Sequence, residues 1–320
     1  MAIQEIIDTI KRYNKVALVA HINPDGDTTG SCLGLANTLL DMGKEIKLYC
    51  HDSIPTKYAF VKNADLFIKP ESNTLDTFDI VMFLDCSDIG RLGDSSCLLD
   101  RCKISINIDH HVSNTQYCDM NLVDENASST CEMTFDIIQK LVGGISQSVA
   151  EAIYMGISTD TGNFSFSNTT AKTHNVVGKL IDAGVDVDKM STVLYKNNSF
   201  ERIKLLADVL NTLEVYIDGK ITCISITQEM INRAGAKETE AEGMIGFARD
   251  IAGVELAILL KESDSNTTKV SLRSKNYIDC NKLAQEFGGG GHKKAAGCII
   301  SENIQKSKEL LIASASHLFI

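Results

Sequence analysis

The sequence predicts an α/β protein of two domains, with an open parallel sheet in the N-terminal one, a smaller α/β domain after it, and an active-site cleft between them. Residues 16–20 and 80–84 are apolar throughout instead of alternating, the pattern of strands buried on both faces. Between such runs lie stretches of helical spacing, and strands that alternate with helices build an open α/β sheet. Beyond about residue 190 the texture changes and a hairpin signal appears. With 320 residues the chain is long for one hydrophobic core, which makes two domains the natural reading.

In chain order, residues 5–13 read as a short amphipathic helix and 16–20 as the first buried strand. After a loop at Pro24-Asp25-Gly26, residues 30–42 read as a helix that ends at Gly43, a natural C-cap. Strands follow at 46–49, 80–84 and 104–108. Ser129-Thr-Cys-Glu132 is a capping-box pattern that opens a helix running to Leu141. A second helix, 149–157, carries the chain to Asp160, and 169–183 is helical up to Gly184. Ser199 caps a bridging helix over 200–213. Strands at 215–217 and 221–226 are joined by Asp218-Gly219 as a hairpin turn. Two more strands lie at 255–260 and 269–272, and a helix over 304–315 follows. These elements place the domains at 1–190 and 201–320, with 191–200 as the linker around Lys196-Asn-Asn198.

Hydrophobic residues make up 44% of the chain and charged residues 23%, an ordinary soluble composition. No apolar run approaches a membrane span, and residues 1–14 lack a signal-peptide core, so the expected location is the cytoplasm. The ten cysteines include no Cys-x-x-Cys pair and read as reduced thiols. Cys86, beside Asp85, reads as a small buried hydrophobe rather than a redox handle. A net charge of −11 argues against tracking along long nucleic acid, duplex included. It leaves room for a small anionic substrate, because a metal site and a few local Lys and Arg residues reverse the sign within one cleft.

The chemistry gathers at element ends. His21, Asp25 and Asp27 stand in His21-Ile-Asn-Pro-Asp25-Gly-Asp27, Asp85 follows Phe83-Leu84, Asp109-His110-His111 form a run, and Asp160 lies in Ser158-Thr-Asp160-Thr-Gly162. His21, Asp85 and Asp109 each sit just past a strand's last apolar residue, and open α/β sheets bind ligands beyond the carboxyl ends of their strands. Carboxylate oxygen mixed with imidazole nitrogen suits a divalent ion such as Mn²⁺ rather than a thiolate-loving one. A tight loop is expected to present His21, Asp25 and Asp27, with Gly26 bending the backbone between the aspartates. Asp85, alone after its strand, is the candidate carboxylate shared by two ions. Such a pair would polarise a phosphoryl oxygen, activate water and stabilise an in-line displacement. Taken singly, each residue could equally be a helix cap, a turn aspartate or a packed histidine. Their joint placement points to a hydrolase. Asp25, Asp27, Asp85 and Asp160 repel one another when bare, so metal is expected to stabilise the fold markedly.

These residues resemble the DHH phosphoesterase superfamily, and Gly288-Gly-Gly-Gly291-His292-Lys-Lys-Ala-Ala-Gly297 resembles its DHHA1 domain. Both motifs in this order, over essentially the whole chain, resemble the bifunctional oligoribonuclease and pAp-phosphatase group of nanoRNase type. The resemblance makes the first domain a DHH catalytic domain and the second a DHHA1 substrate-binding domain. It implies that His21, Asp25 and Asp85 hold one metal and Asp27, Asp85, His110 and Asp160 the other, with Mn²⁺ preferred and Mg²⁺ as the alternative. Asp109 would then orient His110 by accepting its other ring N–H. His111 would face the substrate as a phosphate contact or proton donor to the leaving group, with a packed histidine as the alternative. Gly288, Gly289, Gly290 and Gly291 would let backbone N–H groups approach an anion beside His292, a bland flexible loop being the alternative. Arg273 and Ser274 match a family phosphate clamp, where a guanidinium fork suits phosphate. Arg91 is a further phosphate candidate, with a surface ion pair as the equal alternative. Asn163 stands where some relatives carry a basic residue, a departure that bears on substrate preference.

The resemblance implies a Mn²⁺-dependent phosphodiesterase that trims very short oligoribonucleotides, pApA-type dinucleotides included, to mononucleotides, with pAp to AMP as a further reaction. A phosphodiesterase for cyclic dinucleotides such as cyclic di-AMP needs the same metals and glycine run, so the sequence leaves both open. The reading from a different class is a non-catalytic nucleotide-binding protein. A missing ligand would favour it, and none is missing. A homodimer is compatible with the sequence.

Overall fold

The structure, a computed structural model, describes residues 2–70 and 76–319. The chain divides into two compact units, Met1–Asn197 and Asn198–Ile320.

In the first unit, α1 (Ala2–Arg12) precedes β1 (Lys15–Val19), α2 (Gly26–Asp41), β2 (Glu45–Tyr49), β3 (Phe67–Ile68), β4 (Phe78–Leu84), β5 (Cys102–Asp109) and β6 (Met120–Val123). Four helices follow: α3 (Thr130–Val142), α4 (Gln147–Asp160), α5 (Ala171–Asp182) and α6 (Val187–Tyr195). The strands form one sheet in the order β3-β2-β1-β4-β5-β6, and every pairing is parallel. The unbroken apolar runs have their physical reason in two cores. Val16, Leu18, Ile80 and Met82 pack with Leu33, Leu35 and Ile153 on one face. Ala17, Val19, Val81 and Phe83 pack with Leu92 and Leu98 on the other.

From β1 the chain builds outward through β2 and β3, and from β4 it builds the opposite way through β5 and β6. The order therefore reverses between β1 and β4, and the crevice at such a switch point is where open α/β sheets bind ligands.

Two local expectations change. α2 begins at Gly26, not residue 30, because Asp25 is its N-cap and accepts from Asp27 N at 3.0 Å and Thr28 N at 3.1 Å. Asp25 and Asp27 are thus presented by a helix start and not by a loop. Gly26 serves close packing instead of bending, since a Cβ there would stand 2.2 Å from Thr159 Oγ1 in α4. The capping box at α3 is half formed. Ser129 accepts from Glu132 N at 3.1 Å, while the Glu132 carboxylate turns inward to accept from Ser128 Oγ and Thr173 Oγ1.

The second unit runs α7 (Phe200–Leu210), β7 (Glu214–Tyr216), β8 (Ile221–Ile226), α8 (Gln228–Ala234), α9 (Ile245–Arg249), β9 (Leu256–Asp264), β10 (Thr267–Ser274), α10 (Cys280–Gln285), β11 (Gly290–His292), β12 (Ala295–Ile300) and α11 (Ile304–Ser316). Its sheet has the order β11-β12-β10-β9-β8-β7, antiparallel except for β8 against β9. The hairpin expected at Asp218-Gly219 joins β7 to β8. Among the described residues no helix is long and apolar enough to cross a membrane.

Candidate active site

The ends of β1 and β4 are tied together by one hydroxyl. His21 N donates to Thr28 Oγ1 at 3.2 Å, and Thr28 Oγ1 donates to Leu84 O at 2.8 Å. His21 Nδ1 lies 2.7 Å from Ile22 O, and its Nε2 faces Asp25 Oδ1 (3.7 Å) and Asp85 Oδ2 (3.5 Å). The Arg91 guanidinium stands 3.1 Å from the same Nδ1, which places it against a candidate ligand and not in a surface ion pair.

Asp85 is the pivot. Its backbone is left-handed at φ 62°, and its N–H still donates to Ile108 O at 2.9 Å, so β4 stays bonded to β5 while the side chain turns out of the sheet. Asp85 Oδ2 faces His21, and Asp85 Oδ1 lies 3.6 Å from His110 Nε2. Thr130 Oγ1 donates to the same Oδ1 at 3.0 Å and fixes the carboxylate plane. Asp27 lies at the start of α3, where Thr130 N and Cys131 N donate to its two oxygens at 2.7 and 2.8 Å. Those are N–H groups the helix leaves unpaired, and its dipole favours the charge. His110 Nε2 also lies 3.8 Å from Asp27 Oδ2 and 3.6 Å from Asp160 Oδ2.

The expected link from Asp109 to the His110 ring is overturned. His110 Nδ1 donates to Ala127 O at 3.3 Å, whereas Asp109 Oδ1 accepts from His111 Nδ1 at 2.7 Å. The physical reason is side-chain direction beyond β5. Asp109 reaches His110 only through the latter's backbone N–H at 2.9 Å, and the next ring along turns back onto it. Asn114 Nδ2 completes the arrangement by donating to Asp109 Oδ2 at 2.6 Å. A proton exchanged between His111 and a substrate would therefore run through Nε2.

The charges are strongly coupled. Burial first, then repulsion from Asp85, Asp160 and Asp25, pushes the Asp27 carboxyl well above its usual range. Burial and the Asp85 and Asp25 carboxylates raise Asp160 to about 7, against the opposing pull of His110. Burial alone would lower His21, but hydrogen bonds to Asp25 and Asp85 lift it to about 9. His111 rises to about 8 because Asp109 outweighs its burial. The bare cluster thus relieves its crowded carboxylates by holding protons, and a bound cation would relieve the same repulsion.

Among the described residues, three groups have ligand atoms within 4.8 Å of one another: His21, Asp25 and Asp85; Asp27, His110 and Asp160; and Asp85, His110 and His111. Mixed carboxylate and imidazole donors fit hard divalent ions. Burial raises the thiols of Cys32, Cys86 and Cys131 far above their usual range, so these adjacent sulfurs stay protonated in the bare cluster. The same burial leaves Cys86 as a packing group.

In the second unit, the register places Arg273 opposite Ala295 and Ala295 opposite His292. Arg273 and His292 therefore share one face of the sheet, two strand spacings or about 10 Å apart, with only a methyl group between them. Ser274 is buried at the end of β10, where its N–H donates to Lys294 O at 3.0 Å. The glycine run is corrected in one respect. Gly288 N, Gly289 N and Gly291 N donate to Gln285 O, Ala284 O and Asn281 Oδ1, so these amides are not aimed at an anion. Gly290 and Gly291 belong to strand β11, and a Cβ on Gly291 would stand 2.6 Å from Ala295 O. These glycines seat an edge strand.

Sequence reasoning missed Thr28, Thr130, Asn114 and Asn168, whose amide donates to Asp160 Oδ2 at 3.4 Å. None is an unusual residue type for a loop or helix start. The available signal was position, since each lies within a few residues of a candidate ligand or of a helix cap.

Residues 15–157 match the family described as DHH family, N-terminal domain, and residues 220–318 match the DHHA1 domain. The chain is 29% identical to the Bifunctional oligoribonuclease and PAP phosphatase NrnA of Thermus thermophilus, over 89% of this chain and 84% of that protein. It is 28% identical to the protein of the same name in Bacillus subtilis, over 92% of each. A solved structure from Bacteroides fragilis, described as an exopolyphosphatase-related protein, superposes with a TM-score of 0.94 at 27% identity, covering 99% of this chain and 96% of that one.

Proposed function

We propose, from the premise that the chain belongs to the DHH family and carries that family's N-terminal domain together with a DHHA1 domain, that it is a Mn²⁺-dependent phosphoesterase acting on very short oligonucleotides. It trims pApA-type dinucleotides and slightly longer oligoribonucleotides to mononucleotides, and it converts pAp to AMP. The relatives named as oligoribonuclease and PAP phosphatase support the substrate class. The observation that carries the reading is the Asp85 carboxylate, which offers Oδ2 toward His21 at 3.5 Å and Oδ1 toward His110 at 3.6 Å. One buried group thereby joins two ligand sets, as a paired-ion site requires.

His21, Asp25 and Asp85 would hold one ion, and Asp27, Asp85, His110 and Asp160 the other. When bound, such a pair supplies Lewis acidity toward a phosphoryl oxygen and lowers the pKa of water. The protein's own residues do the rest. Thr130 and the start of α3 hold Asp85 and Asp27 in place. Asp109, braced by Asn114, keeps the His111 proton on Nδ1 and sets Nε2 for exchange with a departing oxygen. Arg273 and His292, on one face of the second unit's sheet, are that unit's candidates for binding a phosphate. The protein works in the cytoplasm, where short RNA fragments arise.

The test is product chromatography after the Mn²⁺-loaded protein meets pAp, pApA, cyclic di-AMP and a short RNA ladder, with an Asp109→Ala, His110→Ala double variant as the blank. Mononucleotides from pApA and the ladder, absent in the blank, are the expected result. Consumption of the cyclic dinucleotide alone would replace this reading with second-messenger turnover. Binding without turnover of any of them would make the protein a nucleotide-binding one.

A further inference from the structure

Beside the carboxylate cluster, within the first unit, lies a cavity of about 310 Å³ whose lining includes Asp25, Asp160, Lys57, Tyr58, Leu194 and Tyr195. We propose that this cavity is a nucleoside subsite, taking the base and sugar next to the phosphate held at the cluster, with Tyr195 as the face on which the base stacks and Lys57 as the partner of its phosphate oxygens. The proposal rests on the phosphoesterase reading and adds the chemistry that selects the substrate.

Placement is the first argument. Asp25 and Asp160 belong to different ligand groups of the cluster, so whatever fills the cavity lies against both. The second is the state of Tyr195. This ring, at the last residue of α6, is 38% exposed, yet its hydroxyl is fixed by Ser158 Oγ at 2.8 Å. Ser158 sits two residues before Asp160 on α4, so the helix end that carries a candidate ligand also sets the ring. A ring held in advance stacks on a base with little further loss of freedom, and every base offers a face to it.

Lys57 gives the third argument. It is exposed, its ammonium lies 5.0 Å from the Tyr58 ring centroid, and among the described lining residues it is the one cation. A single cation suits one phosphate and not the row of contacts that a long strand needs. Size agrees, since about 310 Å³ is the lower end of the range for ligand cavities and holds one nucleotide. A one-nucleotide subsite beside the cluster gives a physical reason for preferring very short substrates.

The experiment is titration calorimetry of AMP and of ribose 5-phosphate against the Mn²⁺-loaded full chain and its Tyr195→Leu, Tyr195→Phe and Lys57→Gln variants, with circular dichroism as the folding check. Wild type is expected to bind AMP about tenfold more tightly than ribose 5-phosphate, from stacking of one base. Tyr195→Leu should abolish that margin, whereas Tyr195→Phe, which keeps the ring face and loses the Ser158 bond, should reduce it only in part. Lys57→Gln should weaken both ligands by a similar factor. A margin that survives Tyr195→Leu, or a Lys57→Gln protein that binds both ligands as wild type does, overturns the proposal. If Tyr195→Leu does not fold, the exposed Lys57 position decides alone. Turnover of pApA, followed in the same samples, separates the two readings. Binding with the margin but no turnover refutes the catalytic reading, whereas turnover without the margin refutes the subsite.

Discussion

Removing divalent metal should destabilise the first unit, and the loss should grow with pH. In the bare cluster Asp160 is raised from 3.8 to about 7, so the folded chain keeps a proton that the unfolded chain has released across that window. Stability of the chelated protein therefore falls as pH rises from about 4 to about 7. His21 is raised from 6.5 to about 9, so its contribution is fully present below 6.5 and is lost as pH climbs toward 9. Both act in the same direction. Asp25, depressed to about 2, matters only below its ordinary range and leaves this window untouched. Displacing Asp160 from 3.8 to about 7 corresponds to at most about 4 kcal/mol. Metal has the opposite dependence, because its ligands must be deprotonated and its affinity therefore rises with pH. An ion present at about one hundred times its Kd adds about 2.7 kcal/mol. For a unit of this size that is about 5–11 °C in Tm. The assay is scanning calorimetry in Mn²⁺ and in EDTA, at about pH 5.5 and about pH 8.5. The gap between the two curves should be wider at the higher pH. An equal gap at both values, or none, would refute the claim that these carboxylates and imidazoles form one cluster whose repulsion a cation relieves.

Two further outcomes follow from single side chains. His111→Ala should lower turnover of pApA by about 100-fold or more while metal content, read by mass spectrometry, stays at the wild-type level. Equal loss of both would make His111 a metal ligand. Glu255→Ala should destabilise the second unit by about 3 kcal/mol, because the Glu255 carboxylate accepts from Asn276 N, Tyr277 N, Ile278 N and Asn276 Nδ2. Burial alone would raise Glu255, but these donors hold its carboxyl below the usual range, so its contribution is present above an ordinary glutamate pKa and is lost as pH falls through the depressed value. Urea unfolding of the full chain, compared with Glu255→Gln, checks this. A wild-type midpoint for Glu255→Ala would show that water satisfies those N–H groups.

What the sequence made legible and what it hid divide along a physical line. The runs that became β1 and β4 were readable because burial on both faces demands apolar residues at every position, and that demand is local. The candidate ligands were readable for a related reason, since the ends of buried strands are where a polar side chain can leave the sheet. Orientation is a different matter. Which oxygen of Asp27 faces which donor is decided by Thr130 N and Cys131 N, the latter 104 residues away in the chain. Which histidine Asp109 holds is decided by how the chain turns beyond β5, and two adjacent imidazoles look alike until that turn exists. The glycine run failed for the same reason. Four glycines permit a loop, but β12 offered a partner and Asn281 and α10 took the amides. Reaction chemistry thus follows from residue types at element ends, whereas the assignment of roles follows from hydrogen bonds that cross the fold. A variant at Thr130 therefore probes the candidate site as directly as one at a candidate ligand, because Thr130 fixes the Asp85 carboxylate, and a variant at Asn114 probes it through Asp109 and His111.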